Sequence, residues 1–157
     1  MMWRVLGGLL LLVAAPAAAT PIDGGLAAYA VGDYRSARVH LRPLADRGSA
    51  IAETMLGVMA AKGQGRAADP AVAVGWWLRA ANRGYAPAQL ALAKALAHGR
   101  GVAADPGQAW VWARLAAGAG DAVAVEAAGL AEGLARGMSA SVLAKLEAER
   151  AAWRPWS

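Results

Sequence analysis

Between residues 50 and 62 the apolar side chains of Ala52, Leu56, Met59 and Ala60 recur at spacings of three and four, which gathers them on one face of a helix over Ala50–Lys62. Gly63 and Gly65 then break the pattern, as expected where the backbone turns left-handed after a helix end and a side chain would be penalised. Asp69-Pro70 reads as the next helix start, because the carboxylate accepts the free N–H groups of the first turn and proline has none to leave unpaired. Ala73, Trp76, Ala80 and Ala81 carry that second helix along one face until Gly84 closes it. The pattern then starts again, predicting a helix over Ala86–His98, a break at Gly99 and Gly101, a start at Asp105-Pro106 and a second helix ending near Gly120. Shorter apolar stretches predict helices at Leu26–Val31, Asp33–Arg47, Ala122–Arg136 and Ser139–Trp153, the last capped by Ser139 or Ser141 and carrying Lys145, Glu147, Glu149 and Arg150.

These helices belong to a repeat. Residues 48–83 align without a gap on 84–119, with 15 identities that include Gly48/Gly84, Leu56/Leu92, Gly63/Gly99, Gly65/Gly101, Asp69/Asp105, Pro70/Pro106 and Trp76/Trp112. Eight of the matches are alanines and weigh less in an alanine-rich chain, but Trp, Pro, Asp and Gly rarely align by chance. One helix pair cannot bury its apolar stripe alone, so successive pairs must stack. The expected fold is all-α: a short right-handed solenoid of stacked antiparallel helix pairs. Its units would be a first pair at 22–47, full repeats at 48–83 and 84–119, and a degenerate repeat with a polar capping helix at 120–157.

Residues 1–19 stand outside this pattern. Arg4, the apolar stretch Val5–Ala15, Pro16 and the small residues Ala17-Ala18-Ala19 have the three parts of a cleavable secretory signal, and cleavage is expected after Ala19. The apolar run is too short for a membrane-spanning helix, which needs roughly 20 residues. The expectation is therefore a periplasmic or secreted single domain over 20–157, with no integral membrane segment after cleavage. The chain has no cysteine, which rules out disulfides, thiolate metal sites and cysteine nucleophiles. Its net charge of +5 is spread along the chain, and no polybasic run suggests nucleic acid.

The residues that recur resemble the Sel-1-like repeat family, a relative of the tetratricopeptide repeats. Ala52, Leu56, Gly57, Gly63, Gly65, Asp69, Ala73, Trp76, Ala80, Ala81 and Gly84 fit its pattern in one copy. Ala88, Leu92, Gly99, Gly101, Val102, Asp105, Ala109, Trp112, Ala116, Ala117 and Gly120 fit it in the next. Ala60 and Leu96 replace an expected tyrosine, Ala93 a glycine and Arg66 a valine, departures expected to loosen the packing. What the resemblance implies is a non-catalytic scaffold that binds other proteins.

Motifs that suggest chemistry have plainer readings. Gly63-Gln64-Gly65 and Gly99-Arg100-Gly101 lack the preceding strand or the Gly-Lys-Ser/Thr ending of phosphate loops, and so read as helix ends. Asp69 and Asp105 are equivalent caps rather than an acid–base pair. His40 and His98, the only histidines, have no partner at metal-ligand spacing, and no serine sits in a Gly-x-Ser-x-Gly turn. No catalytic residue, metal or cofactor is expected. Trp76 and Trp112 are expected in the core, and Trp77 and Trp110 are expected to be shielded between helices.

In tetratricopeptide-like stacks the first helix of each pair lines the concave side. With Ala52, Leu56 and Ala60 inward, the exposed flank is expected to carry Thr54, Val58, Ala61 and Lys62, then Leu90, Lys94 and His98, then Glu126 and Leu130. That mixture of apolar groups with two lysines suits a peptide or protein segment bearing acidic groups. The rival reading is an envelope hydrolase or a glycan- or peptidoglycan-binding protein using the same groove, which would need a carboxylate beside His98 and a deep polar pocket.

Overall fold

A computed structural model describes residues 20–156, and the proposed signal at 1–19 lies outside the described residues. Among the described residues eight α-helices follow one another: α1 (Asp23–Ala30), α2 (Tyr34–Asp46), α3 (Ala50–Lys62), α4 (Pro70–Asn82), α5 (Ala86–His98), α6 (Pro106–Ala116), α7 (Ala122–Ala135) and α8 (Ala140–Ala152). One 3-10 turn, Ala117–Ala119, extends α6. The two central helices α3 and α5 have the bounds that the apolar spacing predicts.

One capping device recurs. Asp33, Ser49, Asp69, Asp105, Asp121 and Ser139 each accept the backbone N–H three residues on, satisfying a donor that the first turn leaves unpaired. Of the two candidate serines, Ser139 therefore caps α8. At the other ends, Gly63 and Gly99 take the left-handed conformation, with φ of 67° and 65°. Gly101 answers to a close approach as well, since a Cβ there would lie 2.2 Å from the carbonyl oxygen of Pro70. Without a side chain at that point the α5–α6 loop can lie against the start of α4.

From α1 to α7 each helix packs on the next, and α3, α5 and α7 also touch in sequence, as stacked pairs require. Alanines at the crossings have no exposed surface: Ala52, Ala73, Ala80, Ala81, Ala88, Ala109 and Ala113. Small residues here bring helix axes close, and Leu41, Leu56, Met59, Leu92 and Trp112 fill the space between.

The last pair differs from expectation. Helix α8 packs on α6, where Leu146 is buried, and α7 packs on α6 as well, so both close the stack from the same neighbour. Beyond α8 the chain turns back: Trp153 meets Trp112 edge-to-face with ring centroids 6.1 Å apart, and the Trp156 N–H donates to Asn82 O at 2.7 Å. The tail thereby supplies a partner for a carbonyl at the end of α4.

The repeated tryptophans are not equivalent. Trp112 is buried, with Trp153 against it, whereas Trp76 is only partly buried and has the guanidinium groups of Arg42 and Arg79 at 5.3 and 4.9 Å from its ring. Trp110 is buried as expected, with Arg114 near its ring, but Trp77 is only half-buried.

Candidate functional site

The half-buried Trp77 marks the site. Its indole slots against Gly57 of α3, where a Cβ would lie 2.4 Å from Nε1, so only glycine lets the ring in. One repeat later the same two places hold Ala93 and Ala113, both fully buried in one cluster. The alanine expected to loosen the second repeat is matched by the loss of its facing tryptophan, and the packing stays tight.

Between α3, α4 and α5, with α7 at one edge, Trp77 becomes a wall of an open groove of about 570 Å³. Ala61, Pro70, Pro87, Leu90, Ala91, Ala95 and Val123 supply the rest of its apolar lining. Lys62 at the end of α3, Lys94 on α5 and Arg100 in the following loop supply its cations, and no carboxylate lines it among the described residues. Lys94 is engaged across the stack, its Nζ lying 2.5 Å from Glu126 Oε1 on α7.

The structure thus brings together Ala61, Lys62, Leu90 and Lys94 from the expected set, with Glu126 as the partner of Lys94. Others fall elsewhere. Thr54 is buried rather than exposed, because its Oγ1 donates to Ala50 O at 2.7 Å and turns the side chain onto its own helix. Leu90 is 5% exposed, showing an edge to the groove while it packs with Ala116 and Ala127. Leu130 is half-buried against that same cluster, and Val58 is half-buried outside the groove lining.

His98 is exposed, and its Nδ1 meets Lys94 O at 2.9 Å on the preceding turn. No ion pair joins it to a carboxylate among the described residues. Nor do these residues contain a group of three or more His, Asp or Glu side chains able to hold a metal ion. No described helix is long and apolar enough to cross a membrane.

Trp77, Pro70, Pro87, Ala91, Arg100 and Val123 are groove residues that the helix phase alone does not reveal. The available signal was Trp77 itself, a large aromatic with no counterpart in the next repeat.

Two consecutive stretches, 50–85 and 86–121, match the family model described as Sel1 repeat. The chain carries two Sel1 repeats. The matched frame begins two residues after the units drawn from the sequence, which in a periodic chain moves the boundary and not the architecture.

Among solved structures, the chain is similar to a protective antigen present in uropathogenic Escherichia coli strains displaying an SLR fold. The TM-score is 0.74 and the identity 24%, over 81% of this chain and 27% of that one. It is also similar to a Sel1 repeat protein from Oxalobacter formigenes, with a TM-score of 0.58 and 30% identity over 60% of this chain and 39% of that one. The chain therefore spans between a quarter and two-fifths of the length of these structures. No curated protein matches it. Sel1-repeat proteins generally act in protein–protein interaction, on a fold that is typically a non-catalytic scaffold.

Proposed function

We propose that this protein is an exported, non-catalytic interaction module that holds a peptide or protein segment in the groove beside Trp77. The observation that carries the reading is the lining: an apolar floor with Lys62 and Arg100 on it, Lys94 held by Glu126 at its edge, and no carboxylate among its described lining residues. A partner with apolar anchors would bury them on Trp77, Leu90 and Val123, and acidic groups beside those anchors would meet the cations. The His98 ring is held at its own helix backbone, which leaves a hydrolytic reading without the paired carboxylate it needs.

The test uses Lys62→Glu with Arg100→Glu. Lys94 is left alone because a carboxylate there would face Glu126, and repulsion between α5 and α7 would confuse loss of binding with loss of fold. The immobilised wild-type chain is expected to capture a partner from an envelope extract, and the double variant to lose that partner while its helical melt stays unchanged. Retention of the same partner by the folded variant would remove the groove as the site.

A further inference from the structure

A second cavity, of about 460 Å³, opens between α2 and α4 over the C-terminal half of α3, and it shares no lining residue with the groove. Arg35, Arg38 and Arg42 line its α2 wall from successive turns, and Arg66 joins them from the α3–α4 loop. Among the described residues no carboxylate lines it. Arg42 and Arg66 have acidic partners outside the lining, Asp46 at 3.0 Å and Asp69 at 3.6 Å. Among the described residues Arg35 and Arg38 pair with no carboxylate, and Arg38 reaches only Gly65 O, at 3.4 Å. Two guanidinium groups at one cavity wall therefore keep their anion-binding capacity.

The opposite wall is apolar. Val72 and Trp76 of α4 form it, above Met59. Gln64 lines the same cavity, and its buried Oε1 has no hydrogen-bond partner among the described residues. That acceptor calls for an N–H donor, which an inorganic anion or a phospholipid headgroup phosphate does not offer and a peptide backbone does.

Geometry selects the kind of peptide. A helix rises about 1.5 Å per residue, so Arg35 to Arg42 spans roughly 10 Å along α2. An extended chain returns a side chain to the same side about every 7 Å and sends the intervening ones the other way. We propose that this cavity binds an extended peptide segment in which acidic and apolar residues alternate, carboxylates on the α2 arginines, apolar side chains on Val72 and Trp76, and a backbone N–H on Gln64. Guanidinium forks suit carboxylates, with charge-assisted hydrogen bonds roughly twice as strong as neutral ones. The site is independent of the groove beside Trp77.

The experiment is fluorescence anisotropy of a labelled synthetic peptide alternating glutamate and leucine, titrated with the full chain. Wild type is expected to bind it with an affinity that falls as salt is added. Arg35→Ala with Arg38→Ala should weaken binding at least about tenfold, the loss expected when charge-assisted contacts go. Arg35→Gln with Arg38→Gln should do the same. In a Lys62→Glu, Arg100→Glu background, which removes two cations of the groove beside Trp77, the arginine-dependent loss should persist, and a glutamine–leucine peptide should bind at least about tenfold more weakly. Equal binding by a correctly melting arginine variant, or by the neutral peptide, would overturn the proposal. So would arginine-dependent binding to phosphatidylglycerol vesicles without binding of the acidic peptide.

Discussion

Arg79 Nη2 lies 2.9 Å from Glu53 Oε1, joining a partly exposed guanidinium on α4 to a carboxylate on α3 that has no exposed surface. Arg83 approaches the other oxygen at 3.7 Å. Arg79 also donates to Ala45 O and lies over Trp76, so the cluster ties α4 to the α2–α3 junction. One repeat later the place of Glu53 is taken by Gln89, buried too, whose amide donates to Ala81 O. The same inward position thus carries an ionisable carboxyl in one repeat and a neutral amide in the next.

Burial pushes the Glu53 carboxyl above its ordinary value, and Arg79 and Arg83 pull against that without reversing it. A carboxyl that holds its proton more tightly when folded stabilises the fold most at low pH. That stabilisation is lost as pH rises from the ordinary glutamate range through the raised value. Thermal melts of wild type and Glu53→Gln over about pH 4 to 7 should therefore diverge, wild type losing stability relative to the variant as pH rises. Parallel curves would show that the two arginines fully offset the burial.

Trp112→Ala should cost about 3–5 kcal/mol, the usual penalty for emptying a buried aromatic site. Trp76→Ala should cost roughly half as much, because part of its surface is already in water. Trp156→Ala should change little, since the residue is 56% exposed and the bond to Asn82 uses the backbone. Urea melts of the three variants check the order.

Gly101→Ala and Gly120→Ala separate a close approach from backbone strain. Both glycines have positive φ, 76° and 78°, but a Cβ at Gly120 meets nothing within 4 Å. Gly120→Ala should cost about 1–2 kcal/mol, the strain of the left-handed region. Gly101→Ala should cost about 3 kcal/mol or more, because its clash is with the Pro70 backbone and no side chain can swing aside. Equal losses would mean that the α5–α6 loop does not need to touch α4.

Export carries its own measurement. If the segment before Thr20 is removed as proposed, the intact mass of the protein from the soluble envelope fraction should correspond to a chain beginning at Thr20. A membrane-bound product retaining Met1–Ala19 is the contrary result.

Helix limits were legible because they are set locally. A capping side chain three residues before an N–H, a glycine where the backbone turns left-handed and an apolar face at helical spacing all act within a few residues. Ala50–Lys62 and Ala86–His98 followed from them directly, and the repeat itself from residues that recur in register. Stacking followed too, since neither pair can bury its stripe alone.

The surfaces were decided by contacts between residues far apart in the chain. Helix phase placed Lys62 and Lys94 at the groove, but it could not show that Lys94 is held by Glu126, that Thr54 turns back onto Ala50 O, or that Gly57 admits Trp77 as a wall. The repeat register made Trp76 and Trp112 alike, yet their exposure depends on what each meets: arginines from α2 and α4 in one case, and Trp153 from beyond α8 in the other. Sequence periodicity specifies which face of a helix turns inward, because that is a property of one helix. What fills or opens the space between two helices depends on both, and only packing brings the second one into place.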